Sequence, residues 1–317
     1  MSARISVVGS LNMDLVIRSP HIPQPGETII GSDFQTIPGG KGANQAVAAA
    51  RLGGEVSMVG RVGNDAFADV LLDNLTAAEV DTSFIQRDET AASGAAMIVV
   101  DDNGENIIVV ASGANLQLSE TDVERAEQVI AASDVLVLQL EVPLPVVTRA
   151  AQIAQAHQVA VVLNPAPARE LPLELLELVD VLVPNESETA LLTGLPIGSQ
   201  VELEQAANKL LSSGIGYVVI TLGGRGAFLA SPDYKSKNFE AFSIQPVDTT
   251  AAGDAFVAGL AVNYGAGKTL PDAIRWGNAA GAMAALRFGA QSSLPTRNEV
   301  LKLIKGEKPD SILGRTM

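Results

Sequence analysis

The segment 248–254 reads DTTAAGD and sets two carboxylates, Asp248 and Asp254, at the ends of a run of small residues, with the apolar stretch Ala255–Leu260 directly behind. A helix opening on such residues leaves its first backbone N–H groups bare at a positive terminus, which makes an anion site by geometry and dipole. On this reading the amides of Ala252 and Gly253 hold a phosphoryl group whose charge builds during transfer, and Asp254 stands beside it as base for an incoming hydroxyl. Plain helix chemistry accounts for the same residues equally well: Asp248 as an N-cap and Asp254 as a first-turn acid favoured by the dipole. A second glycine-rich helix entry, PGGKGANQAVAAARL at 38–52, opens with Gly39 and Gly40 and puts Lys41 and Asn44 one turn apart on one face.

Neither entry is a familiar nucleotide fingerprint. The first strand–helix connection lacks G-x-G-x-x-G, and GGKGAN has no Ser or Thr after its lysine as a P-loop requires. The setting is more informative. ISVVG (5–9), VLVLQL (135–140), VAVVL (159–163), VDVLV (179–183) and YVVIT (217–221) are short, β-branched runs, apolar on both faces, as buried parallel strands are. Helical patterns at 120–132, 144–157 and 202–213 lie between them, and helices dominate from 251 to about 304. This alternation predicts an α/β fold with a mainly parallel sheet covered by helices on both faces. In such sheets ligands bind outside the carboxyl ends of the strands. Each run here hands over to a polar group: Ser10-Leu11-Asn12-Met13-Asp14, Glu141, Asn164, Asn185, and Thr221 through Gly226. In a strand, Met13 points away from its neighbours Asn12 and Asp14.

Two segments break the alternation. Residues 14–40 are strand-like but studded with Pro and Gly, and 95–113 holds two apolar runs around Asp101-Asp102-Asn103-Gly104, a hairpin signal. They predict a small added sheet, either an ordinary edge hairpin or a lid.

The chain has 317 residues, 47% of them hydrophobic and only 4% aromatic, so a core of Ala, Val, Leu and Ile is expected. A net charge of −15 argues against nucleic acid or an anionic membrane as partner. There is no cysteine, and His21 and His157 are the only histidines, which excludes thiolate and multi-histidine metal sites and leaves both as surface residues. No apolar run reaches membrane-spanning length, so a soluble cytoplasmic protein is expected.

GGKGANQAVAAARLG paired with DTTAAGDAF, together with NPAPARELPLELLELVDVLVPNESE (164–188) and TLGGRGAF (221–228), resembles the ribokinase-like (PfkB) carbohydrate kinases over about residues 4–304. The resemblance implies one kinase domain over 1–317: a three-layer α/β/α Rossmann-like fold whose lid is formed by about 12–40 and 93–113, with a polar, frayed tail at 305–317. It implies transfer of a phosphoryl group from ATP to the 5-hydroxyl of D-ribose, with Mg2+ and a stimulating K+, and a homodimer formed through the lid. By motif, sugar contacts fall on Asn12, Asp14, Gly40, Lys41, Gly42, Asn44, Glu141 and Asp254, with Asp254 the catalytic base. Nucleotide contacts fall on Asn185, Glu188, Thr221, Leu222, Gly223, Gly224, Arg225, Gly226, Gly253 and Asn278, and Asn185 with Glu188 matches an N-x-x-E motif that organises Mg2+ and phosphates. The K+ site falls on Asp248, Thr250, Ala284, Arg287, Gly289 and Ser293. A kinase for another sugar or a nucleoside is the nearest alternative, and a non-catalytic sugar- or nucleotide-binding regulator the more distant one.

Overall fold

The structure, a computed structural model, describes residues 2–232 and 235–314. Thirteen strands run in chain order among these residues: β1 (Arg4–Val8), β2 (Asn12–Ser19), β3 (Phe34–Gly39), β4 (Glu55–Gly63), β5 (Asp81–Asp88), β6 (Gly94–Asp101), β7 (Asn106–Ala111), β8 (Val135–Leu138), β9 (Ala160–Leu163), β10 (Val181–Leu182), β11 (Tyr217–Thr221), β12 (Ala227–Ala230) and β13 (Lys237–Phe239).

Nine of them form one sheet in the order β13-β12-β11-β10-β9-β8-β1-β4-β5. Every neighbouring pair from β11 to β5 is parallel, and β12 and β13 add an antiparallel edge. The five runs read as strands lie side by side in it. β4 and β5 went unread because polar residues interrupt their pattern. Arg61 in β4 is neutralised there by Asp88, at 3.0 Å, and Asp122, at 2.9 Å. Apolar residues fill both faces. The helices Lys41–Arg51, Ala252–Gly265 and Leu270–Ala284 pack on one side, and Leu144–Ala156 and Gln200–Leu211 on the other. The α/β/α layering is therefore as expected.

β1 is the centre of the layout. The chain leaves it toward β4 and β5, then returns on its other side with β8, so the sheet order reverses between β1 and β8. A crevice opens at such a switch point, outside the strands' carboxyl ends.

β3-β2-β6-β7 form a separate four-stranded sheet, with β2 and β6 parallel and the outer pairs antiparallel. It is built from the two segments that broke the alternation. β7 is exposed along its whole length. The tail departs from expectation: Pro309–Ile312 is a short helix, and Ile312 and Leu313 pack against the core, because two apolar residues suffice to anchor one turn. Residues 315–317 of that tail lie outside the described ones.

Candidate active site

Two adjoining cavities lie over the strand ends. The larger, about 820 Å³, is lined by Thr221, Gly223, Gly224, Gly226, Phe242, Asn278 and the start of the helix Ala252–Gly265. The smaller, about 210 Å³, is lined by Lys41, Asn164, Asn185, Glu188, Gly253 and Asp254. Asn185, Thr221, Thr249 and Gly253 border both.

The helix entry at Gly253 leaves backbone N–H groups bare, though not all of those expected. Ala251 adopts a left-handed conformation, φ 58°, and the turn closes with the Ala252 N–H donating to Thr249 O at 3.1 Å. The Ala252 amide is thus already spent and is not the anion-holding group expected of it. The N–H groups of Gly253 and Asp254 have no backbone acceptor among the described residues and lie at the helix terminus. A Cβ on Gly253 would meet no protein atom within 4 Å, so the backbone there borders open cavity.

Asp254 is 7% exposed. Burial raises its carboxyl above the usual carboxylate range, while Lys41 and hydrogen bonds from Asn44 and Gln45 oppose the rise. Asn44 Nδ2 donates to Oδ2 and Gln45 Nε2 to Oδ1, both at 2.9 Å. Both donors come from consecutive residues of the helix Lys41–Arg51, which packs directly against the helix carrying Asp254.

That first helix is seated by close backbone approach. Gly40 has φ 89°, and a Cβ there would lie 2.7 Å from Asn12 N; on Gly42 it would lie 2.6 Å from Ser10 N. Glu141, beyond β8, accepts from the Lys41 backbone N–H at 3.1 Å and from the Ser10 hydroxyl. Asn12 accepts from Asn115 Nδ2 at 2.8 Å. Asp14 lies on the next inward position of β2, and its carboxyl is pushed up to about 7 by burial and by the nearby charges of Glu141 and Asp254. Met13 between them is buried in the core, as the strand alternation required.

Asn185 and Glu188 form a capping box on the helix Glu186–Thr193: Glu188 N–H donates to Asn185 Oδ1, and Asn185 N–H to Glu188 Oε2, both at 2.8 Å. Capping explains both residue types by itself, yet Glu188 also faces the smaller cavity, where burial raises its carboxyl. Within the 221–226 loop two side chains leave the cavity. Leu222 is buried in the core, and Arg225 pairs with Glu186 at the surface. Asn278 lines the larger cavity, but its Nδ2 is tied to the carbonyls of Phe239 and Glu240, both at 3.2 Å.

Asp248 is not a helix cap. It accepts from Thr250 N–H at 2.9 Å, from the Thr250 hydroxyl, and from Gly289 N–H at 2.9 Å, joining the turn before the helix to the loop 284–293. Arg287 and Gly289 lie on that loop, Ala284 ends the helix Leu270–Ala284 before it, and Ser293 ends the short 3-10 turn Gln291–Ser293 after it. The Arg287 side chain turns to Glu299 and the Ser293 hydroxyl to Ala290 O. No group of three or more His, Asp or Glu that could by itself hold a metal occurs among the described residues. Both histidines lie at the surface, paired with Glu27 and Glu127.

Ser10, read only as a polar strand end, belongs to the site, and three polar residues that the sequence reading did not name complete it: Gln45, Asn115 and Gln139. Gln139 carried a usable signal, a lone amide inside the apolar run VLVLQL. The others carried none.

A family model described as pfkB family carbohydrate kinase matches residues 2–297. The chain is 44% identical over 305 residues to a ribokinase of Haemophilus influenzae, covering 96% of this chain and 99% of the other. It is 37% identical over 303 residues to a deoxyribokinase of Salmonella typhi, covering 94% and 99%. The structure of Arabidopsis thaliana ribokinase complexed with ribose and ATP matches with a TM-score of 0.90 at 32% identity, covering 96% of this chain and 99% of that one.

Proposed function

The chain belongs to the pfkB family of carbohydrate kinases, and from that premise we propose that it transfers the γ-phosphoryl group of ATP to the 5-hydroxyl of D-ribose, giving D-ribose 5-phosphate and ADP. One observation carries the reading. A buried carboxylate, Asp254, borders a small polar cavity at the helix terminus where that cavity meets a larger, mainly apolar one. The likeness to curated ribokinases over nearly the full length supplies the sugar and the nucleotide.

In this reaction ribose lies beside the smaller cavity, between the helix Lys41–Arg51 and β2, and reaches that cavity at Lys41 and Asp254. Asn12, Asp14, Lys41 and Asn44 bind its hydroxyls, and Gly40 and Gly42 let the backbone come close. ATP lies in the larger cavity, its phosphates running toward Gly253. Asp254 takes the proton from O5 as O5 attacks the γ-phosphorus and the bond to the β,γ-bridging oxygen breaks. The free N–H groups of Gly253 and Asp254, with the Lys41 ammonium, stabilise the charge on the transferring group. Water is the competing acceptor, and burial of Asp254 keeps it out.

Mg2+ fits a site with few protein carboxylates, since it keeps several waters and binds mostly through substrate phosphates. Glu188 and Asn185 would hold that hydrated ion, which shields phosphate charge. K+ suits the junction of the 248–250 turn and the 284–293 loop, where Asp248 supplies charge and carbonyls supply oxygens. A K+ response left intact in Asp248→Ala would move the cation elsewhere. The four-stranded sheet serves as the lid over the sugar and, through its exposed face, as the contact in a homodimer. No helix among the described residues is long and apolar enough to cross a membrane, which fits a reaction in the cytoplasm.

The test is a panel of D-ribose, 2-deoxyribose, fructose and adenosine with ATP and Mg2+, read by coupled ADP release. D-ribose gives the highest kcat/KM. Preference for 2-deoxyribose or a nucleoside would reassign the substrate, and no ADP release with any of them would favour a binding protein.

A further inference from the structure

Behind the Asp254 carboxylate lies a chain of buried amides that the proposed mechanism does not use. Gln45 is 1% exposed and Gln139 is 0% exposed. Gln139 Nε2 donates to Gln45 Oε1 at 2.6 Å. Gln45 Nε2 donates to Asp254 Oδ1 at 2.9 Å and to Asn164 Oδ1 at 3.1 Å. Asn164 Nδ2 in turn donates to Val183 O at 3.0 Å. Every donor and acceptor of the Gln45 amide therefore faces a partner, and its plane is fixed from three directions.

The polarity of the chain has a chemical cause. An ionised carboxylate only accepts hydrogen bonds, so Gln45 must turn its nitrogen toward Asp254 and its oxygen away. That oxygen needs a donor, which Gln139 supplies. The leftover Gln139 Oε1 ends the chain against Gly9, where a Cβ would stand 2.0 Å from it, and this oxygen has no hydrogen-bond partner. A buried acceptor without a partner is costly. The arrangement keeps that cost at the far end of the chain, while both carboxylate oxygens of Asp254 are matched by amide N–H groups.

We propose that Gln139 and Gln45 form a buried amide relay that orients the Asp254 carboxylate and holds it as a proton acceptor, with Gln45 as a positioning residue. The inference rests on the reading of Asp254 as the base. Lys41, Glu141, Asp14 and Glu188 are the charged groups whose fields also reach Asp254. None of them touches the Gln45 amide, so removing that amide changes only the hydrogen-bond support.

The experiment compares Gln45→Met, Gln139→Met and Asp254→Asn with the unaltered enzyme, measuring kcat and the KM for ribose from pH 5.5 to 9, with thermal melting and ADP binding as checks on folding. Gln45→Met loses a hydrogen bond to a charged group, so kcat falls roughly 10- to 100-fold while the ribose KM changes by no more than about twofold. The acid limb of the kcat profile moves to higher pH, because the carboxylate has lost a donor that favours its charged form. Gln139→Met leaves Gln45 in place but frees it to turn, and gives the same two changes in smaller measure. It carries the test alone if Gln45→Met does not fold. A lowered melting temperature with kcat and acid limb unchanged in both variants overturns the proposal and makes the amides packing only. An effect in Gln45→Met with Gln139→Met silent overturns the relay. Asp254→Asn separates the two levels: near-normal turnover there sinks the base itself, whereas an inactive Asp254→Asn beside a normal Gln45→Met sinks only the relay.

Discussion

Three carboxyls in the site, those of Asp254, Asp14 and Glu188, are pushed upward by burial, and the first two are assigned different work. Asp254 is the base. Asp254→Asn keeps the shape and, through its carboxamide oxygen, one of the two amide contacts, but it cannot accept a proton, so kcat should fall by about 10²–10⁴ with ADP binding retained. Isothermal titration beside steady-state rates checks this, and near-normal kcat would remove the assignment. Asp14 sits near pH 7 in the folded protein against an ordinary 3.8. The folded state therefore binds its proton more tightly than the unfolded one. The stability Asp14 contributes is full below about pH 4 and is lost as pH rises through about 7. Asp14→Asn should accordingly melt higher than the unaltered protein at pH 8 and show no such gain at pH 4. Ionised, Asp14 is also the better acceptor for sugar hydroxyls, so the ribose KM should fall as pH rises through 7 while the ATP KM stays flat. A ribose KM independent of pH between 6 and 8 would take Asp14 out of the sugar pocket.

The helix Ala252–Gly265 delivers both the bare amides and Asp254, and its entry turn explains what a sequence does and does not disclose. DTTAAGD announced a bare helix terminus because small residues there have few other uses. It did not disclose that the turn would consume the Ala252 amide, since that depends on Ala251 taking a left-handed conformation unusual for a residue with a Cβ. Likewise the five apolar runs were legible as strands because burial on both faces leaves a continuous pattern. β4 was not, because Arg61 is neutralised by Asp88 and Asp122 from distant segments. Gln45 and Asn115 escaped notice for the same reason: their partners lie 209 and 104 residues away. Gly253 offers a direct test of the helix entry. A methyl there meets no protein atom, and Ala is the better helix former by about 1 kcal/mol. Gly253→Ala should melt no lower than the unaltered protein yet lose tenfold or more in kcat/KM for ATP, because the methyl stands where the two cavities meet. Full activity in a stable Gly253→Ala would place the phosphates elsewhere.

At the scale of the whole molecule, the large sheet fixes the two cavities, and the small sheet stands apart with an apolar surface uncovered. Met97 is 64% exposed and Val109, its cross-strand partner on the same face, 61%, while Ile108, on the other face, is 53% exposed. A four-stranded sheet with apolar residues open to water is marginal alone, and in the proposed homodimer a second copy would cover it through a two-fold, self-complementary contact. Val109→Asp should therefore shift light-scattering mass from dimer to monomer at micromolar concentration. A native protein that is already monomeric and fully active would refute the contact. The account as a whole stands on one chemical event, phosphoryl transfer to the primary hydroxyl of ribose. Phosphorus NMR of a reaction with D-ribose, ATP and Mg2+ reads that event directly. A new phosphomonoester resonance coupled to the two protons of C5, growing as ADP appears, is the predicted result. An ester coupled to the single anomeric proton, or ATP consumed to free phosphate alone, would contradict it.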